Sequence, residues 1–89
     1  MTENAPGGVL NLIVRTADQT RKDGLEIEPQ KKCGEIVAAV IGRWSLPEDT
    51  DFTLVNVRTG KPLMPDHSLA QAGVMDGDTL EVQPVLVAG

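Results

Sequence analysis

The sequence predicts an α+β domain in which a mixed sheet of four or five strands curls around one helix. Three observations carry that prediction. Two segments with period-two hydrophobicity are followed by one segment with period 3.6. Two further strand-like runs come after it, and 89 residues provide for a single small domain. One helix cannot cover both faces of a sheet, so the order ββαββ is an α+β design rather than a doubly covered α/β one.

The elements follow in chain order. Residues 1–8 (MTENAPGG) are polar and rich in Gly and Pro, and they are expected to be a disordered leader. In VLNLIVRT, Leu10, Leu12 and Val14 alternate with Asn11, Ile13 and Arg15, which is strand periodicity. A polar turn over 17–23 leads to GLEIEP, where Leu25 and Ile27 face in, Glu26 and Glu28 face out, and Pro29 ends the run. Together they read as a hairpin. Over residues 33–44, Cys33, Ile36, Val37, Val40, Ile41 and Trp44 fall on one face of a helix. Gly42 weakens its last turn, and Ser45-Leu46-Pro47 closes it, because a residue before proline avoids helical angles.

After EDTD, Phe52 and Leu54 alternate with Thr53 and Val55 in a strand. Gly60 turns the chain, and Pro62-Leu63-Met64 is a short edge segment. Residues 68–71 read as one helical turn capped by Ser68. MDGD is a tight turn with Gly77 at positive φ, and TLEV is the last strand. The expected core is Leu12, Val14, Leu25, Ile27, Ile36, Val40, Leu54, Leu69 and Leu80.

Composition removes several functions. Phe52 and Trp44 are the only aromatic residues, too few for a base-stacking platform. A net charge of −5 repels phosphate backbones and anionic lipid heads, so neither nucleic acid nor membrane is an expected partner. One cysteine, Cys33, allows no intrachain disulfide and fits a reducing compartment. There is no apolar run of spanning length and no secretory pattern at the N-terminus, so a cytoplasmic location is expected.

With the elements in place, several fragments resemble ubiquitin-like proteins of the β-grasp fold. LEIEP at 25–29 resembles the family's second strand and exit proline. Ile36 and Val40 stand at the inward helix positions, LPEDT at 46–50 resembles the loop after the helix, and GKPL at 60–63 the edge-strand turn. SLAQAGVMDGDTLEV at 68–82 resembles the short helical turn, loop and last strand. The pattern Gly73, Val74, Asp76, Gly77, Asp78, Leu80, with the turn VRTGKP, is similar to bacterial relatives. Among these are the YukD/EsaB-like proteins associated with type VII secretion and the bacterial modifiers found beside activating and conjugating enzymes.

The tail bears on function. Thr79 to Gly89 is as long as the corresponding end of mature ubiquitin. Pro84 has no N–H, so the ladder is expected to end near Gln83, with the domain over 9–84 and a flexible tail over 85–89. The resemblance then implies a modifier whose Gly89 carboxylate is adenylated, passed to an enzyme cysteine and joined to a target lysine. Val85, Leu86, Val87 and Ala88 would form the conjugation tail, and a processing peptidase is a further partner. The sequence departs from the family here: the tail ends Ala-Gly rather than Gly-Gly, and Val85 and Val87 replace arginines. Two other readings stay open. One is a YukD-like non-covalent docking module. The other is a sulfur carrier resembling ThiS and MoaD, whose members also end in Gly-Gly.

The same resemblance places a partner-binding surface at Ala17, Val55 and Gln83, with Val57 beside it; only the valines are large and apolar. Cys33 lies on the inward helix face and reads as core. His67 has no companion at metal-ligand spacing, and Asp76 and Asp78 lack the remainder of a calcium loop. Lys22, Lys31, Lys32 and Lys61 are surface lysines. No nucleophile, base and orienting group can be assembled, so an enzyme is not expected, nor is a cofactor. A monomer is expected.

Overall fold

Alternation of Leu12, Val14 and Thr16 with Ile13 and Arg15 makes β1 (Leu10–Thr16) a strand with one buried face. The structure, a computed structural model of the chain, describes residues 8–47 and 49–85. The leader expected over 1–8 lies outside the described residues except for Gly8, and so does the tail after Val85. β1 is followed by β2 (Lys22–Ile27), α1 (Cys33–Trp44), β3 (Phe52–Asn56), β4 (Lys61–Leu63) and β5 (Thr79–Pro84). The five strands form one sheet in the order β2-β1-β5-β3-β4. β1 and β5 are parallel and every other pair is antiparallel, so the sheet is mixed.

The helix spans the residues its periodicity indicates and buries Cys33, Ile36, Val40 and Trp44. Its first N–H groups have no side-chain cap at Lys32. Carbonyls from the distant 65–67 loop serve instead: His67 accepts from the Cys33 amide at 2.9 Å and Pro65 from Gly34 at 3.0 Å. Gly34 permits this approach, because a Cβ there would lie 3.1 Å from both the Pro65 carbonyl oxygen and its Cβ. At the other end Ser45, at φ 54°, turns the chain left-handed, and the Leu46 amide closes onto the Ile41 carbonyl at 3.0 Å. The helix thus ends by a left-handed cap rather than by the constraint from Pro47.

The core joins Leu12, Val14, Leu54, Leu80 and Val82 of the sheet to Ile36 and Val40 of the helix, closed below by Leu63, Leu69 and Val74. Leu25 and Ile27, expected fully inside, are only half-buried. They lie on the outermost strand, where no further strand covers them. β2 also begins two residues earlier than its apolar pattern, since Lys22 and Asp23 pair with Arg15 and Val14.

The capped turn is present. Ser68 Oγ accepts from the Gln71 amide at 3.1 Å, Gln71 Oε1 accepts from the Ser68 amide at 2.9 Å, and Ala72 donates to the Ser68 carbonyl. Gly77 adopts φ 89° and donates to Asn11 O at 2.7 Å.

Hydrogen bonding does not stop at Gln83. Pro84 lies opposite Phe52, and the Val85 amide donates to the Asp51 carbonyl at 2.8 Å. Pro84 is tolerated because its missing N–H falls on the β1 side. There β1 has already ended, and Ala17 takes the last bond, to the Val82 carbonyl at 3.1 Å. Hydrogen bonding to the sheet thus reaches Val85, the first residue of the expected tail, and residues 86–89 lie outside the described residues.

Candidate docking face and C-terminal exit

Side chains that alternate away from the core define the outer face of the sheet. On the central strands these are Ile13 and Arg15 of β1, Thr79, Glu81 and Gln83 of β5, and Thr53 and Val55 of β3, with Val57 just beyond. The register sets Arg15 beside Glu81 and Glu81 beside Val55, with Pro62 on the far side of Val55. Val55 is half-buried and Val57 is 42% exposed. Gln83 lies across from Thr53, and its Nε2 donates to Glu81 Oε1 at 3.0 Å. Val55, Val57 and Gln83 thus share one face.

Ala17 stands at its margin. It lines a groove of about 390 Å3 with Leu46, Pro47, Phe52, Val82 and Pro84, at the end of the sheet where the chain leaves β5.

The middle of the face is ionic. Arg15 Nε lies 3.6 Å from Glu81 Oε2, with both side chains mostly covered. Among the described residues, this buried Nε has no hydrogen-bond partner. Sequence alone does not join these two residues. A signal is present, since both residues alternate outward on their strands, but pairing them requires the parallel β1–β5 contact. The aliphatic residues of this face are therefore not contiguous: Glu81 of the ion pair stands between Val55 and β1, and Thr79 stands between Val57 and Ile13, which is 39% exposed.

A second polar cluster braces the loop before β5. Asp78 is buried and accepts from Arg58 Nε at 2.8 Å, from the Met75 amide at 2.9 Å and from Asn56 Nδ2 at 3.1 Å. The Arg58 guanidinium, then the Met75 and Asn56 amides, hold its carboxyl down to about 2 against the opposing effect of burial. Asp76 has a separate task, accepting from the Asn11 amide at 2.7 Å and from its side chain at 3.1 Å. Cys33 is buried, and burial pushes its thiol upward, away from the reactive thiolate. His67 is exposed, and among the described residues no three His, Cys, Asp or Glu side chains are placed to hold a metal. No helix among the described residues is long and apolar enough to cross a membrane.

A five-stranded mixed sheet in the order β2-β1-β5-β3-β4, with one helix across its inner face, is the ubiquitin-like β-grasp fold. Among solved structures the chain is similar to a ubiquitin from Caldiarchaeum subterraneum. The TM-score is 0.75 at 26% identity, covering 92% of this chain and 100% of that one. It is also similar to a designed protein based on ubiquitin, with a TM-score of 0.73 at 20% identity, covering 92% and 96%. No protein-family model matches the chain, and no curated protein matches it in sequence.

Proposed function

We propose that this ubiquitin-like protein is a modifier of a bacterial conjugation system, with the Gly89 carboxylate as the reacting group. The observation that supports this reading is the exit of β5. That strand lies in the middle of the sheet between β1 and β3, and Val85 is bonded to Asp51 at the sheet's end. Whatever follows Val85 leaves from a fixed point on the fold, and Gly89 comes four residues later. Similarity to the Caldiarchaeum subterraneum ubiquitin along that protein's whole length supports the ubiquitin-like part of this reading.

The chemistry asks only a carboxylate of this chain. An activating enzyme would join the Gly89 carboxylate to the α-phosphorus of ATP and release pyrophosphate. An enzyme cysteine would displace AMP to form a thioester, and a target lysine amine would displace the thiolate to form an amide. Glycine at the end, and alanine before it, suit a narrow channel because neither carries bulk beyond a methyl group. This chain acts as substrate and carrier rather than enzyme. Its partners are the activating and conjugating enzymes, with a peptidase where a precursor must be trimmed. ATP and a reduced enzyme cysteine assign the reaction to the cytoplasm. Val55 and Val57, with Gln83 and Ala17, are the surface such enzymes would recognise.

The exposure of Val57 and Ile13 favours one second reading, a YukD-like docking module that uses the sheet face and no tail chemistry. One experiment separates the two. The full chain is expressed in its host with an N-terminal tag, and adducts that survive boiling in detergent and reductant are sought. The modifier reading expects adducts that vanish when Gly89 is deleted; their absence from the unaltered chain leaves the docking module.

A further inference from the structure

β2 is an outer strand with one neighbour, β1. The Thr16 amide donates to the Arg21 carbonyl at 3.0 Å. That bond sets the phase of the antiparallel ladder, so Asp23, Leu25 and Ile27 direct their backbone groups to β1. The N–H and C=O groups of Lys22, Gly24 and Glu26 point the other way, to the open edge. All three residues are exposed, and the Lys22 and Glu26 side chains lie on the outer face. Among the described residues neither Lys22 nor Glu26 makes an ion pair. Gly24 stands midway between them, with nothing within 4 Å of where a Cβ would sit.

A lysine on an edge strand ordinarily discourages pairing with another chain. Here a carboxylate stands at the symmetric position. We propose that β2 pairs antiparallel with β2 of a second copy about a two-fold axis at Gly24. Gly24 then faces Gly24, and Lys22 faces Glu26 of the second copy on both sides of the axis. All three residues fall in hydrogen-bonded positions, so every outward N–H and C=O of the strand is used, and two opposite-charge cross-strand pairs form on the outer face. The two five-stranded sheets become one continuous sheet.

Sliding the strands by two residues in one direction sets Asp23 against Asp23. Sliding them the other way calls on Glu28, whose carbonyl already accepts from the Lys31 amide at 3.0 Å. The Gly24-centred register is the one the strand's own charges and backbone groups satisfy. One strand pair is smaller than the roughly 1,200 Å2 of a stable interface, so the dimer is in equilibrium with the monomer expected from the sequence.

Sedimentation equilibrium of the full chain over a concentration series, with amide exchange by NMR, tests the proposal. The mass should rise toward that of a dimer, and exchange at the Lys22, Gly24 and Glu26 amides should slow as concentration rises. Lys22→Glu should weaken association about tenfold, by turning both charge pairs repulsive. Lys22→Glu combined with Glu26→Lys should restore it, and circular dichroism should show all variants folded. A monomer at every concentration overturns the proposal, and so does a dimer indifferent to Lys22→Glu. Association that the double exchange does not restore overturns the register. Slowed exchange at the three amides only with an added foreign strand peptide assigns the edge to another partner and overturns it as well.

Discussion

Trp44 Nε1 donates to Asp23 Oδ2 at 2.7 Å, tying the last residue of the helix to the outermost strand. The same oxygen accepts from Arg43 Nε at 2.8 Å, and these two donors hold the Asp23 carboxyl below its usual range. The two bonds differ in consequence. Trp44 is buried, so its N–H has no easy substitute in water, whereas Arg43 is largely exposed. Asp23→Ala should therefore lower the thermal midpoint more than Arg43→Ala, and Trp44→Phe in the Asp23→Ala background should recover part of the loss. Equal midpoints for Asp23→Ala and Arg43→Ala would show that the indole bond contributes nothing.

Val40 has no exposed surface and lies between helix and sheet. Val40→Ala should cost roughly 2–4 kcal/mol, in the range for large-to-small core changes. In a domain of this size that lowers the thermal midpoint by about 10 °C or more. A shift of a degree or two would mean that the helix buries a different face.

Asp78 makes stability depend on acid. Its folded carboxyl titrates at about 2, below the roughly 3.9 of an unfolded aspartate. The unfolded chain therefore takes up the proton first. The contribution is complete above about pH 4 and is lost as pH falls toward the folded value. Asp18, held at about 2 by the Thr16 and Thr20 hydroxyls and the Thr20 amide, titrates in the same window but is exposed. Asp78→Ala should cost about 2–3 kcal/mol at neutral pH, because Asn56 and the Met75 amide lose their acceptor. Urea denaturation at several pH values should show a shallower acid decline in Asp78→Asn than in the unaltered chain. Parallel declines would remove Asp78 from the account.

Gly34 sits against Pro65, whose carbonyl both caps the helix and limits the space for a side chain. Gly34→Val should lower stability and speed amide exchange at Cys33, whereas Ala38→Val, on an exposed helix position, should do neither to the same extent. Unchanged exchange at Cys33 would show that the 65–67 loop moves aside freely.

What the sequence made legible is local. The helix emerges with its bounds intact because six apolar residues mark one face, and Ser68, Gln71 and Gly77 carry their turn chemistry in their own side chains or lack of one. What it concealed depends on which strands are neighbours. Leu25 and Ile27 alternate as core residues do, yet the strand order leaves them at an edge. Asn56 and Asp78 look like surface polar residues, and only the juxtaposition of β3 with the 73–78 loop buries them together. Arg15 and Glu81 become a pair through a parallel contact between the first and last strands. The four partner-surface positions came from family resemblance, which could not anticipate the ion pair between them.

In the proposed modifier Gly89 carries the chemistry and the sheet face carries recognition. ATP–pyrophosphate exchange with the purified cognate activating enzyme, on the unaltered chain, a Gly89 deletion and Val55→Arg, separates the two roles. The deletion should abolish exchange at every concentration, with the circular dichroism spectrum unchanged. Val55→Arg should instead raise the concentration needed for half-maximal exchange and leave the maximum rate intact, because it alters a docking surface and not the reacting atom. Full exchange by the chain without Gly89 would show that Gly89 is not the reacting group.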